Sequence, residues 1–127
     1  MLRLLIVDDS EEDFDLACWS LSREGAQVEA RRVDRLGALH ASLGEMDWDA
    51  VLSDYSLPGL SVEDVVLAVR NSGRALPVIL LSGSLREGLA DTLQPLGIRH
   101  IISKDQLGGL RKALQEAIRD GARKAAR

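Results

Sequence analysis

The sequence predicts a doubly wound α/β fold built on a five-stranded parallel sheet. Three observations lead to this prediction: short continuous apolar runs, segments with helical spacing, and an alternation of the two along all 127 residues. Runs of about four apolar residues are typical of strands that are buried on both faces. Strands that alternate with helices form βα units, whose right-handed crossovers cover both faces of the sheet. The strand order expected for five such strands is 2-1-3-4-5.

Five apolar runs are predicted to be the strands. They cover residues 4–7, 28–33, 50–52, 78–81 and 101–102. The second run is more polar than the others and half-alternating, which suits a strand at the edge of the sheet.

The segments that follow the runs have apolar residues at the i, i+3, i+4 and i+7 positions of amphipathic helices. Ser10 is the expected N-cap of the first helix, ahead of an acidic first turn. Residues 61–64 and 84–87 have capping patterns that open the third and fourth helices. The fifth helix has the cleanest apolar stripe, over residues 107–118, and is expected to end near Gly121.

Length and composition predict one globular domain and exclude several protein classes. We expect the domain to span residues 1–121, with residues 122–127 as a tail or the start of a linker. The net charge of −4 argues against binding nucleic acid through a basic face. Neither a membrane helix nor a signal peptide is expected, because the apolar runs are too short. The sequence therefore predicts a cytoplasmic protein that binds neither nucleic acid nor membranes.

Polar side chains follow the central strands and the last strand, where each of these strands ends. Asp8 and Asp9 follow the first strand, Asp54 the third, Ser82 the fourth and Lys104 the fifth. Any one of these residues, taken alone, is more often part of a turn or exposed to solvent. Ligands in this kind of fold bind at the carboxyl ends of the strands, so these five side chains are expected to converge at one edge of the sheet.

The chemistry of these side chains points to a phosphate. Carboxylates brought close together repel each other, and a hard cation such as Mg²⁺, which prefers oxygen ligands, relieves that repulsion. A lysine and a serine hydroxyl would stabilise the charge on a transferring phosphoryl group. A carboxylate can itself act as the nucleophile and form an aspartyl phosphate.

With these motifs, the sequence resembles the response-regulator receiver domains of two-component signalling, the CheY-like family. The resemblance covers residues 2–120 and implies a flavodoxin-like (βα)5 fold. It also implies that Asp54 is the phosphoacceptor and that Ser82 and Lys104 contact the phosphoryl group. Asp9 and Asp54 would bind Mg²⁺ directly together with the backbone carbonyl of Ser56.

Asp8 would act on the same ion mainly through a bound water. The resemblance further implies a switch rather than a turnover enzyme. The donor would be the phosphohistidine of a histidine kinase or a histidine phosphotransfer protein, and the acyl phosphate would then be hydrolysed slowly by the domain itself. The signal would pass to an output domain or a partner protein, from a monomer or a weak homodimer.

Two positions near the lysine depart from the family pattern. Ile101 stands three residues before the lysine, where the family usually has Tyr or Phe, and Asp105 follows the lysine in place of a proline. A cis bond before a residue other than proline costs about 2.5–4 kcal/mol, so a trans bond is expected unless the position is strained. These departures leave a second hypothesis open, a receiver-like module that binds partners independently of phosphorylation. A third, a phosphohydrolase of the haloacid dehalogenase type, is disfavoured because Ser56 replaces the second aspartate of its motif and the chain has no room for a cap domain.

Overall fold

In the computed structural model, five parallel strands form one sheet with helices on both of its faces. The structure describes residues 1–83 and 87–125, with side chains as far as residue 121. The strands are β1 (Leu2–Val7), β2 (Val28–Val33), β3 (Ala50–Asp54), β4 (Val78–Ser82) and β5 (Ile101–Ser103). The helices are α1 (Glu11–Arg23), α2 (Leu36–Leu43), α3 (Val62–Asn71), α4 (Leu89–Leu93) and α5 (Leu110–Ala125).

The strand order is β2-β1-β3-β4-β5, and every neighbouring pair is parallel, which confirms the predicted doubly wound sheet. The register places Val7 beside Ser53, and Ser82 beside Ser103. The carboxyl ends of β1, β3, β4 and β5 are therefore nearly level. As a result, the residues that follow these strands share one edge of the sheet.

The apolar run of β1 divides between two cores, because successive strand residues point to opposite faces. Leu4 and Ile6 pack on the face covered by α1 and α5. Leu5 and Val7 pack on the other face, against α2 and α3. All four are fully buried, as expected for a central strand with a helical layer on each side.

Helix α5 differs from the prediction at both ends. A 3₁₀ turn, Leu107–Gly109, precedes it, and the helix runs through Gly121 to Ala125 instead of ending near residue 121. Gly121 faces the segment before β4: a Cβ there would lie 3.8 Å from the Ala75 carbonyl oxygen and from Pro77 Cδ. These are ordinary contact distances. The backbone of Gly121 is helical, so the helix does not end at this residue.

The start of the fourth helix falls partly outside the described residues. The capping pattern predicted at 84–87 includes residues 84–86, which the structure does not describe. The helix itself is short, and Gly88, with φ of +82°, is its N-cap. Within the part of the chain that is described, no helix has both the length and the apolar character needed to cross a bilayer.

Candidate functional site

Two buried carboxylates and a lysine lie at the carboxyl edge of the sheet. Asp8 directly follows β1 and is 1% exposed, and Asp54 is the last residue of β3 and is 8% exposed. Lys104 directly follows β5. Predicted residues that are distant in the sequence are therefore neighbours here, in the position that the sheet topology favours for a ligand.

Local backbone hydrogen bonds fix the orientation of both carboxylates. Ser10 N–H donates to Asp8 Oδ1 at 2.9 Å, and Ser56 N–H donates to Asp54 Oδ1 at 3.2 Å. In each case an aspartate accepts from the residue two positions ahead, which is the Asx-turn geometry that begins a loop. The second oxygen of each carboxylate remains available to Lys104.

The Lys104 ammonium binds three carboxylates at once. Nζ lies 3.1 Å from Asp8 Oδ2, 3.0 Å from Asp54 Oδ2 and 2.6 Å from Asp13 Oδ2. An ammonium has three N–H donors, so each donor has one carboxylate acceptor. The lysine therefore partly neutralises the negative charge at this edge of the sheet.

Burial and charge shift the pKa values of this cluster. Burial raises the pKa of Asp8 above its usual 3.8, against the opposing effects of the Ser10 hydrogen bond and of Lys104. Burial also acts to lower the pKa of Lys104. Hydrogen bonds to Asp13, Asp54 and Asp8 outweigh that effect and raise the pKa well above its usual 10.5. The ammonium is therefore charged at neutral pH.

The donor set at this edge fits a magnesium ion. One carboxylate oxygen from each of Asp8, Asp9 and Asp54 lies within 4.8 Å of the others. Mg²⁺ binds oxygen at about 2.1 Å, so two ligand oxygens on one ion are at most about 4.2 Å apart. The upper limit of 4.8 Å is close to that separation, and a water between Asp8 and the ion would accommodate the difference. The exposed Asp9 can move most easily.

Ser82 and Ser56 lie at the same edge. Ser82 is the last residue of β4 and is 3% exposed. Its carbonyl oxygen accepts a hydrogen bond from the backbone N–H of Lys104 at 2.9 Å. Ser56 is exposed in the loop after β3, where its N–H orients Asp54. The roles predicted for the Ser82 hydroxyl and the Ser56 carbonyl stay predictions.

Two of three comparisons with known proteins find chains that are similar to this one. No protein-family model matches the chain. The transcriptional regulatory protein TctD of Salmonella typhimurium is 36% identical over 100 residues, which are 76% of this chain and 42% of TctD. A CheY-like receiver domain protein from Methanospirillum hungatei has a TM-score of 0.76 at 21% identity and covers 98% of both chains.

The chain is a response-regulator receiver domain. A further structure, the receiver domain of a sensor histidine kinase from Pseudomonas aeruginosa with a magnesium ion in its active-site cleft, has a TM-score of 0.74 at 22% identity. It covers 92% of this chain, and the match spans 97% of that structure. The chain spans less than half the length of the curated relatives that it matches.

Sequence reasoning missed one member of the cluster in this receiver domain. The sequence predicts Asp13 only as part of the acidic first turn of α1. The structure confirms that position, since the Asp13 N–H donates to the Ser10 side chain at 3.2 Å. Its carboxylate also forms the shortest of the three contacts with Lys104. A signal was present in the sequence: only three residues separate β1 from α1, so the first turn of α1 must lie at the same edge of the sheet.

The two departures from the family pattern lie on either side of Lys104. Ile101 is half-buried and packs against an apolar cluster between α3 and α4, which Tyr55 also contacts. No peptide bond in the described part of the receiver domain is cis, so the bond between Lys104 and Asp105 is trans, as expected for a residue other than proline.

Proposed function

We propose that this receiver domain is a phosphorylation switch. Asp54 accepts a phosphoryl group from the phosphohistidine of a histidine kinase or a histidine phosphotransfer protein, in a reaction that requires Mg²⁺. The observation that carries the proposal is the triple contact of Lys104, which joins the carboxylates of Asp8 and Asp54 at the ligand-binding edge of the sheet. The cluster of the Asp8, Asp9 and Asp54 carboxylates supports the same conclusion.

The proposed step forms one bond and breaks one bond. An Asp54 carboxylate oxygen attacks phosphorus, the phosphorus–nitrogen bond to the donor imidazole breaks, and its electron pair returns to the ring nitrogen. Lys104 stabilises the charge on the transferring group, and the Ser82 hydroxyl donates a hydrogen bond to one of its oxygens. Later hydrolysis by water regenerates the carboxylate. The domain thus changes state without acting as a turnover enzyme.

Asp9 and Asp54 would hold the magnesium ion, with the Ser56 carbonyl as a further ligand and Asp8 acting through a water. Bound Mg²⁺ supplies positive charge that offsets the carboxylates and the incoming phosphoryl oxygens. Two observations support this assignment. The three carboxylate oxygens are close together, and the similar receiver domain from P. aeruginosa has magnesium in its cleft.

The signal would pass from the phosphorylated edge to an output domain or a separate partner protein. Relatives named as transcriptional regulators, of which this chain matches less than half, support an output domain. We further propose that the domain works in the cytoplasm as a monomer or weak homodimer and does not itself bind nucleic acid. Its net charge of −4 supports the last point.

A second candidate function is partner binding that does not depend on phosphate. It is favoured by Ile101, which stands where the family usually has an aromatic ring and is packed in an apolar cluster. An isoleucine has no ring to turn between exposed and buried positions. Partner binding that persists unchanged in Asp54→Asn would favour this candidate.

The test is the intact mass of the protein after incubation with acetyl phosphate, with and without Mg²⁺. One added phosphate is expected in wild type with Mg²⁺, and none in Asp54→Asn. Asp91→Asn is the matched control, because it removes an exposed aspartate on α4 and should leave the adduct intact. Some receivers accept only from a protein donor, so beryllofluoride with Mg²⁺ is tested in parallel, with the amide NMR spectrum as readout. The absence of both an adduct and a beryllofluoride response in wild type would overturn the proposal.

A further inference from the structure

The ammonium of Lys104 has no donor left for a phosphoryl group. Its three contacts, to Asp8, Asp13 and Asp54, use all three N–H bonds of the side chain. A group transferred to Asp54 needs at least one of these donors. One of the three ion pairs must therefore weaken before Lys104 can bind the phosphoryl oxygens.

Asp13 is the partner that can be released at the lowest cost. Asp8 is only 1% exposed, so separating it from Lys104 would leave a buried carboxylate without its cation. Asp54 is the proposed acceptor and stays next to the lysine both before and after phosphorylation. The Asp13 side chain is 36% exposed, and water can solvate its carboxylate once the contact breaks.

We propose that Asp13 is a positioning residue that occupies a Lys104 donor needed by the phosphoryl group and thereby slows phosphorylation of Asp54. This inference rests on the function proposed above. Asp13 acts through the lysine and does not touch the acceptor. Two physical effects act in the same direction: Asp13 occupies one donor of Lys104, and its negative charge repels an anionic phosphoryl donor.

The first experiment compares Asp13→Asn with wild type. The rate of adduct formation from acetyl phosphate is measured by intact mass at saturating Mg²⁺, with the Mg²⁺ affinity of each variant determined beforehand. An asparagine keeps the shape of the side chain and removes its charge, so the rate is expected to rise about fivefold, the effect of weakening one charge-assisted hydrogen bond. A merely structural role would predict no change or a slower reaction.

Two variants serve as matched controls on the same helical turn. Glu12→Gln removes the same unit of charge from a neighbouring exposed residue whose side chain forms no hydrogen bond or ion pair within the described part of the chain. It should change the rate by less than twofold, about the size expected of a screened surface charge. Asp13→Glu restores a carboxylate within reach of Lys104 and should return the rate to that of wild type.

A Lys104→Met background tests whether Asp13 acts through the lysine. Adding Asp13→Asn to that background should change the already slow rate by less than twofold, because the donor it would release is absent and only a screened negative charge is removed. The same acceleration in both backgrounds would overturn the inference, since Asp13 would then act only as a nearby charge. An equal acceleration by Glu12→Gln would overturn it for the same reason.

The failure of this inference is distinct from the failure of the proposed function. A wild-type protein that is phosphorylated on Asp54, with Asp13→Asn no faster, would overturn only the role of Asp13. A wild-type protein that forms no adduct and does not respond to beryllofluoride would overturn both. Faster phosphorylation confined to Asp13→Asn, and lost without Lys104, would establish the role.

Discussion

The Nζ atom of Lys104 lies 3.0 Å from Oδ2 of Asp54, although the two residues lie at the ends of strands that are not neighbours in the sheet. β4 lies between β3 and β5, so the ends of those two strands are about 10 Å apart. The long lysine side chain spans that gap over the end of β4. The last residue of β4, Ser82, has a small side chain.

Replacing this lysine should cost stability as well as function. Without Mg²⁺, Lys104→Met leaves two buried carboxylates and Asp13 with no cation, which should lower the free energy of unfolding by about 2 kcal/mol. Urea denaturation at pH 7 and pH 9 should give the same loss. The pKa of Lys104 is raised above its usual 10.5, so its stabilising charge is fully present at both values and is lost only at higher pH.

Lys112→Met is the control for that measurement. Lys112 is exposed on α5 and should change the free energy of unfolding by less than about 0.5 kcal/mol. Equal effects of the two substitutions would contradict the role assigned to the cluster.

Asp8 should make the protein less stable at neutral pH than at mildly acidic pH. Its folded-state pKa is raised above 3.8, chiefly by burial, so its ionised form opposes folding. That cost is present above the folded-state pKa, fades as the pH falls through it, and is gone below 3.8. In Mg²⁺-free urea denaturation, Asp8→Asn should therefore be more stable than wild type at pH 7, with a difference that narrows toward pH 4. A variant that is less stable at pH 7 would refute this interpretation.

Magnesium should stabilise the folded protein if the three carboxylates bind it. A ligand at one hundred times its Kd adds about 2.7 kcal/mol when it binds only the folded state. The Tm of wild type should rise with Mg²⁺ concentration, and Asp9→Asn should need about tenfold more Mg²⁺ for the same rise. Glu12→Gln should follow the wild-type curve. Identical curves for wild type and Asp9→Asn would show that Asp9 does not bind the ion.

Two glycines should respond in opposite directions to the same substitution. Gly121 lies inside α5 with helical backbone angles, and an added Cβ would meet only ordinary contacts, so Gly121→Ala should stabilise by about 0.5–1 kcal/mol. Gly25, with φ of +89°, has a left-handed backbone, and its Cβ would lie 3.3 Å from Arg111. Gly25→Ala should therefore destabilise by about 1 kcal/mol or more. Thermal unfolding of both variants checks the pair, and a shift of the same sign in both would contradict the reasoning.

The sequence predicts the sheet because its signal is local and repeated. Four apolar residues in β1 must be buried on both faces, and the polar residues after each strand then have only one edge to occupy. The predicted end of the fifth helix was wrong, because local preference and tertiary packing compete there. Helix α5 passes through Gly121, since the helix packs against the segment around Pro77 and this tertiary contact outweighs a weak local preference.

Side-chain pairing was harder to predict than side-chain location. The sequence placed Asp8, Asp54 and Lys104 at one edge, but the third carboxylate on the lysine depends on the direction in which α1 leaves that edge. An acidic residue in the first turn of a helix is usually explained by the helix dipole alone. Only the coordinates distinguish an ordinary first-turn acid such as Glu12 from Asp13, one position later.

The Ser10 cap sets the rotational phase of α1 relative to the sheet. Its side chain accepts from Asp13 N–H, so the count of residues between β1 and the first helical turn is fixed. Each residue of a helix advances its direction by about 100°. One residue inserted between Ser10 and Asp13 would turn every later side chain of α1 by that angle, separating the acid from Lys104 while the six predicted site residues stayed in place. Under the role proposed for Asp13, proteins that share the other site residues would therefore differ in their rate of phosphorylation through the length of this one connection.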